Sequence, residues 1–198
     1  MKLGKRRKSS LNFGRTRRKF NVERFKYNAT WVLQIAAVIF MAYACVSCFG
    51  VRTSVVGQAM ATTLNSGDQI LINRLVYAIS NPKEGDVIVF QPNGNEKAHY
   101  YVRRVIAVPG DKIQIKEGAV YVNGTLYKEK MDWLAAMEDA GIASEEITLG
   151  EDEYFVLGDN RNNSEDSRYA NIGNVKKEYI IGQAWFCVES EKGSAFIH

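Results

Sequence analysis

Between Ala29 and Val51 the chain carries no charged residue, and this run limits what the protein can be more than any other feature. It includes Trp31, Val32, Leu33, Ile35, Val38, Ile39, Phe40, Val46 and Phe49, with Gln34 and Ser47 as tolerable polar interruptions. At about 1.5 Å per residue, a helix of this length covers the roughly 30 Å hydrocarbon core of a bilayer. Residues 1 to 27 hold eleven Lys or Arg against one acid, Glu23, so this arm carries +10 and the rest of the chain −6. The positive-inside rule then holds the arm in the cytoplasm and places the acidic remainder outside. A buried core helix would not need so long an uncharged run beside a basic arm. A cleaved signal peptide is the other reading, because Ala42-Tyr43-Ala44 has the small-x-small form of a cleavage site. The length of the basic arm and the apolar residues beyond Ala44 favour a retained anchor. Next to a span, the arm reads as a partner of anionic membrane lipid rather than of nucleic acid. The expected organisation is a cytoplasmic arm over 1–28, a transmembrane helix over 29–51 and an extracytoplasmic domain over 52–198.

From Val55 onward the pattern is one of short strands broken by turn signals. Gln69–Asn73 and Asp86–Phe90 each follow a Gly-Asp turn; Tyr100–Val108 runs to Pro109-Gly110; Lys112–Lys116 alternates as a half-exposed strand should. Asn123-Gly124 between Val120–Val122 and Thr125–Tyr127 is a hairpin signal, since both residues accept positive φ. Tyr154–Leu157 and Tyr179–Val188 supply late strands. One helix is expected, capped by Asp132 and running to Ala140, with Met131, Leu134, Ala135 and Glu138 at helical spacing and Gly141 as its stop. The fold expected is mainly β, a barrel or sandwich with a short helix, preceded by one transmembrane α-helix. Cys45 and Cys48 lie in the apolar run and Cys187 in a late strand, so three free thiols are expected and Cys45-x-x-Cys48 lacks a second ligand pair for a metal. No phosphate loop or nucleotide fingerprint is present, and no cofactor, metal or nucleic-acid partner is expected.

A serine hydrolase needs an oxygen nucleophile, a base that works at neutral pH, and donors for the oxyanion. With two histidines, His99 and the terminal His198, and no Gly-x-Ser-x-Gly elbow, a Ser-His-Asp triad is not readable. A Ser-Lys dyad, in which burial lowers the lysine pKa, is the alternative framework. Three segments bear on it: Gly57-Gln58-Ala59-Met60-Ala61-Thr62-Thr63-Leu64, then Arg103-Arg104-Val105-Ile106-Ala107-Val108-Pro109-Gly110-Asp111, and the box from Gly158 to Arg168, Gly-Asp-Asn-Arg-Asn-Asn-Ser-Glu-Asp-Ser-Arg. In this order they resemble the type I signal peptidases. That family has Ser-Met-x-Pro-Thr-Leu where this chain has Ala59 to Leu64, Lys-Arg-Val-Ile-Gly-x-Pro-Gly-Asp where it has Arg103 to Asp111, and a Gly-Asp-Asn-Arg-x-x-Ser-x-Asp-Ser-Arg box that is present in full.

The resemblance places the nucleophilic serine at Ala59 and the lysine base at Arg103, so this is identified as a family member lacking the Ser-Lys dyad. It implies an oxyanion site in the backbone from Gly57 to Met60, with Met60 and Thr63 shaping the wall beside it. It also implies a hydrogen bond from Ser164 to the base, and a bracing charge network of Asp159, Arg161, Asp166 and Arg168. Clusters of this kind make good turns and ion pairs whether or not a base lies nearby. Ala59 has no hydroxyl to acylate, and a guanidinium stays protonated above pH about 12 and offers no lone pair. His99 is expected on the Arg103 face of its strand, about 13 Å away, and Ser54, Thr62, Thr63 and Ser66 would each need a backbone shift and a new base. Thr62 and Ala107 also depart from the motif's proline and glycine, a pattern of natural drift rather than of an engineered trap. The expected function is binding of secreted or pilin precursor polypeptides in a retained signal-peptide groove, in a chaperone-like role in pilus assembly. The rival expectation is an active signal peptidase I acting on exported preproteins, and a third is a structural membrane protein whose groove has filled in.

Overall fold

A computed structural model describes residues 22–49, 51–95, 97–128, 135–190 and 193–197, and falls into two units, Met1–Met41 and Ala42–His198. Helix α1 spans Val22–Phe49. Its window Val22–Ser47 has a mean hydropathy of 2.0 and is 0% buried within the protein, so it is long and apolar enough to cross a membrane. Large apolar side chains stand exposed around it, among them Val32 at 67%, Leu33 at 71% and Phe40 at 74%. An apolar helix that the chain's own core leaves uncovered needs an apolar medium to cover it. Its bounds differ from the expected 29–51. The helix takes in Glu23, Arg24 and Lys26 at its start, and Val51 opens a strand because its backbone pairs with Ile72.

The remaining elements are β1 (Val51–Ser54), β2 (Gln69–Asn73), α2 (Val76–Ile79), β3 (Val87–Phe90), β4 (Tyr101–Ala107), β5 (Lys112–Lys116), β6 (Ala119–Val122), β7 (Thr125–Leu126), β8 (Ile147–Thr148), β9 (Glu153–Leu157), β10 (Val175–Lys176), β11 (Ile180–Glu189) and β12 (Ala195–Phe196). They form an antiparallel sheet in the order β1-β2-β11-β3-β4-β9-β10, with β12 on β11, and a second sheet in the order β7-β6-β5-β8. The fold is mainly β, as expected. The late strand β11 inserts between β2 and β3, and its register shifts twice against β2, which bends the sheet. Three apolar clusters fill the domain. One lies around Ile70, Ile72, Val89 and Met60, one around Ile106, Ile113 and Phe155, and one around Ile88, Phe90 and Tyr154.

Local chemistry explains several of these elements. Asn123 (φ 52°) and Gly124 (φ 75°) both sit in the left-handed region, closing β6 onto β7 with Val122 opposite Thr125, the two-residue hairpin that Asn-Gly favours. In β5 the outer lysines are exposed and Ile113 and Ile115 buried, as alternation required. Over 135–140 the expected helix to Ala140 is not there. Asp132, Met131 and Leu134 lie outside the described residues, and from 135 to 140 the chain is irregular. Its backbone groups are taken by distant partners: Met137 N–H donates to the Gly118 carbonyl (3.0 Å), Glu138 N–H to Asn162 Oδ1 (3.0 Å), and Asn162 Nδ2 to the Ala136 carbonyl (3.0 Å). With Met137 drawn into the core at 6% exposure, these bonds replace the i→i−4 ladder.

The short helix of the domain is α2, where Asn73 Oδ1 accepts from the N–H groups of Leu75 and Val76 at 3.1 and 3.2 Å. Tyr77 within it is buried and donates its hydroxyl to Asp86 Oδ2 at 2.9 Å. That carboxylate also accepts from Lys83 N–H and Gln183 Nε2, both at 3.0 Å, tying α2 to β3 and β11. Burial, reinforced by the Asp86 charge, pushes the Tyr77 phenol well above the ordinary tyrosine value. A raised folded pKa stabilises the native state fully below the unfolded value near pH 10, and that contribution is lost as pH climbs above it. Tyr77→Phe is expected to cost about 1 kcal/mol at neutral pH. It should also reduce, without abolishing, the fall in stability above pH 10, since Tyr101 and Tyr154 are shifted upward too. Denaturant unfolding at pH 7 and pH 10.5 measures both effects.

Candidate functional site

Strand β4 is buried on both faces along most of its length, which is why consecutive arginines both disappear into the protein: Arg103 is 6% and Arg104 5% exposed. Successive strand residues point to opposite faces, and the two guanidiniums reach the same segment, 158–168, from either side. Arg104 Nε and Nη2 donate to Asp159 Oδ1 and Oδ2 at 2.9 and 2.7 Å, a bidentate pair, while Nη1 donates to the Gly85 carbonyl at 2.9 Å. Arg103 Nε and Nη2 donate to the Glu165 carbonyl at 2.9 and 2.6 Å, and Nη1 to the Val102 carbonyl at 2.7 Å. The Arg103 guanidinium lies 4.9 Å from the centroid of the Tyr101 ring. Tyr101 in turn donates its hydroxyl to Glu165 Oε2 at 2.9 Å. Burial lowers the Arg103 pKa, opposed by Asp166, Tyr101 and Glu165, yet a guanidinium starts so high that it keeps its charge at neutral pH.

Within the loop, Arg168 Nε and Nη2 donate to Asp166 at 2.9 and 3.0 Å, and Gly158 N–H donates to Asp166 Oδ2 at 3.1 Å. Arg168 also donates to the Asp139 carbonyl at 3.0 Å and to the Arg161 carbonyl. Arg161 Nε donates to the Gly158 carbonyl at 3.1 Å. Asp159, Arg161, Asp166 and Arg168 are all at most 3% exposed; Asp166 pairs with Arg168 inside the loop, whereas Asp159 pairs with Arg104 of β4. Removing one member of such a buried pair strands its partner's charge.

The turn over residues 57–64 meets this loop. Thr63 donates its hydroxyl to Asp159 Oδ2 at 2.6 Å; the Ala59 carbonyl accepts from Asn160 N–H at 3.0 Å and the Gln58 carbonyl from Asn160 Nδ2 at 3.1 Å. Gly57 holds φ at +84° and Thr62 at +89°, the second unusual for a β-branched residue. Among the described residues, the N–H groups of Gln58, Ala59 and Met60 donate to no main-chain carbonyl. Met60 is 1% exposed and packs in the core with Ile70, Ile72 and Val89. Ser164 Oγ is buried with no hydrogen-bond partner among the described residues. The side chain expected to bond the group at 103 therefore stands apart from Arg103, whose donors end on main-chain carbonyls instead. His99 is exposed and precedes β4 rather than lying on its face, and Ser54, Thr62 and Ser66 are exposed as well. Arg104, Asn160 and Glu165 were quoted in the motifs without roles, and the structure makes them the ties between turn, sheet and loop. Their signal was adjacency: a second arginine after Arg103 reaches the opposite face of a strand.

The class defined by this fold and site is a mainly β domain with a buried arginine-aspartate loop, preceded in the chain by one helix long enough to cross a membrane. Comparison with known proteins adds the family. The signal peptidase, peptidase S26, model matches residues 28–189, and the chain belongs to that family. Among its relatives, signal peptidase I P of Bacillus subtilis subsp. natto is 37% identical over 134 residues, 64% of this chain and 70% of the relative. Signal peptidase IB of Staphylococcus aureus is 30% identical over 172 residues, 79% of this chain and 86% of the relative. A crystal structure of a signal peptidase I from Enterococcus faecalis, 29% identical, aligns with a TM-score of 0.40 over 53% of this chain and 97% of that one.

Proposed function

We propose that this protein holds signal-peptide-bearing polypeptides without cutting them, pilin precursors among them, from a single-pass anchor with the basic arm cytoplasmic and the β domain outside. The observation that carries the reading is Arg103. At the position the family resemblance gives to a lysine base, a buried guanidinium donates to the Glu165 and Val102 carbonyls, and the position given to the serine holds only the methyl group of Ala59. Neither group can carry out acylation. Thr62 supports the same conclusion. The family motif has proline there, and proline fixes φ near −65°, whereas this turn holds φ at +89°. The turn has settled into a conformation that the motif's own residue cannot adopt. Among the described residues the main-chain N–H groups of Gln58 to Met60 donate to no main-chain carbonyl, which leaves donors for an extended ligand's carbonyls.

The test is incubation of the purified, detergent-solubilised chain with a preprotein carrying an Ala-x-Ala site, read by mass spectrometry, beside an Ala59→Ser, Arg103→Lys variant. The expected result is no mature product from the natural chain, capture of the intact preprotein by it, and measurable product from the variant. Losing both members of a dyad costs several orders of magnitude in rate. Mature product from the natural chain, at the correct site and stoichiometric with turnover, would establish the rival reading of an active signal peptidase.

A further inference from the structure

The sequence contains two Asn-Gly pairs, Asn93-Gly94 and Asn123-Gly124, and the fold treats them differently. In such a pair the glycine nitrogen can attack the asparagine carboxamide, because no Cβ on the second residue blocks its approach. The N–Cγ bond forms, the Cγ–Nδ2 bond breaks, the glycine proton passes to solvent, and the amide leaves as ammonia with a proton from solvent. Water then opens the cyclic imide at one of its two carbonyls, giving aspartate or isoaspartate. Backbone angle does not separate the two pairs, since both asparagines hold φ at 52°. Restraint of the carboxamide does not separate them either: Asn93 Nδ2 donates to the Asn171 carbonyl at 2.7 Å, and Asn123 Nδ2 to Asp111 Oδ1 at 2.8 Å.

The nucleophile does. Gly94 N–H donates to the Gln91 carbonyl at 3.1 Å, and a Cβ on Gly94 would lie 2.6 Å from the Tyr179 ring, so this backbone is both bonded and packed. Gly124 N–H donates to no main-chain carbonyl among the described residues, a Cβ there would meet nothing within 4 Å, and the turn is exposed to water. Asn123 Oδ1 also accepts from Lys112 N–H at 2.9 Å, a donor on the oxygen where negative charge develops as the ring closes. We propose that Asn123 is a site of covalent modification, converting through the imide to aspartate and isoaspartate while the fold preserves Asn93, and that the new carboxylate releases the β6–β7 hairpin from Asp111. A carboxylate at 123 has no hydrogen to give Asp111, so two anions face each other where a hydrogen bond stood. Asp111 stays tied to Val108 N–H at 3.0 Å, and the Lys112 ammonium is turned to Glu146 at 3.1 Å, which leaves the hairpin as the part that moves. Isoaspartate adds a main-chain carbon to a two-residue turn closed by Val122 opposite Thr125. This inference is independent of the peptide-binding reading.

The experiment is incubation of the full-length, detergent-solubilised protein at pH 9, followed by proteolytic digestion and mass spectrometry, which reads the mass gained when an amide becomes an acid. In the folded protein Asn123 is expected to convert at least fivefold faster than Asn93. In concentrated urea the two rates are expected to agree within a factor of two, because both pairs then share the same local chemistry. Equal rates in the folded protein, a faster Asn93, or conversion of neither until urea is added would overturn the assignment. Asn123→Asp is expected to lower Tm by roughly 3 °C, and Asp111→Asn in the same chain to recover most of that loss. An unchanged Tm in Asn123→Asp would overturn the release of the hairpin. The rates on the unmodified protein decide the site even if a variant fails to fold.

Discussion

Asp159→Ala is expected to destabilise the domain by about 3–5 kcal/mol, lowering Tm by roughly 10 °C. The carboxylate accepts both nitrogens of the Arg104 fork and the Thr63 hydroxyl, and it is 3% exposed. Its removal takes the carboxylate from a guanidinium buried at 5% exposure, and it deprives Thr63 of its acceptor. A charge that loses its carboxylate in the interior, more than the lost attraction, accounts for the size of the effect. The measurement is thermal unfolding followed by circular dichroism in a fixed detergent. An Arg104→Met, Asp159→Leu double variant separates the two causes: an apolar pair of similar bulk is expected to recover most of the stability. A double variant as unstable as the single one would show that shape and hydrogen bonding, rather than stranded charge, set the cost. Peptide binding is expected to fall in both, because Thr63 loses its acceptor in either case.

Gly158→Ala is expected to cost about 3 kcal/mol, at the upper end for an inserted methyl group, and to remove peptide binding altogether. A Cβ there would lie 2.5 Å from the Ala59 carbonyl oxygen and 2.5 Å from Ser164 Cβ, and would also collide with the Ser164 hydroxyl. The Ala59 oxygen cannot move freely, since Asn160 N–H holds it at 3.0 Å. Relief must come from separating turn and loop at the point where the site forms. Adding Ser164→Gly removes two of the three collisions and is expected to restore about half of the stability, but not full peptide binding, because the collision with the Ala59 carbonyl remains. Denaturant unfolding of the three variants, with anisotropy on the same samples, tests this. Wild-type stability in Gly158→Ala would mean that the loop yields at little cost and does not hold the turn.

Much of the strand pattern was legible because it rests on nearest-neighbour chemistry. Gln69–Asn73 and Lys112–Lys116 were read to the residue, the first as a short apolar run after a Gly-Asp turn and the second because alternating apolar and polar side chains suit a half-buried strand. Asn123-Gly124 needed no partner to be recognised as a hairpin turn, because positive φ at both positions is a property of those residues. The stretch 135–140 was misread for the complementary reason. Its apolar spacing suited a helix, but Gly118 and Asn162 compete for its backbone groups, and neither is a sequence neighbour. The strands Ile147–Thr148 and Val175–Lys176 are only two residues each, too short for any periodicity to be seen.

At the site, the box from Gly158 to Arg168 read as an ionic brace, and four of its five charged members, Asp159, Arg161, Asp166 and Arg168, are buried while Glu165 is exposed. What could not be read was which cation meets which anion. Asp159 turned to Arg104, 55 residues away, and not to an arginine of its own loop. Arg103 turned to a carbonyl at Glu165 rather than to the Ser164 hydroxyl beside it. Nothing local distinguishes those outcomes, because the distance across a sheet depends on strand order.

The sequence by itself determined that one segment is apolar enough to cross a bilayer, that the rest is built of strands, and that positions 59 and 103 hold a methyl group and a permanent cation. Each of these follows from side-chain chemistry or from a period of a few residues. The tertiary structure alone decided that β11 enters between β2 and β3, and that β4 is covered on both faces so that Arg103 and Arg104 are buried back to back. It also decided that the Arg103 guanidinium ends on main-chain carbonyls, and that the Ser164 hydroxyl is buried without a hydrogen-bond partner among the described residues. Those facts depend on contacts between segments tens of residues apart, where burial removes water and makes every unmatched charge or donor count.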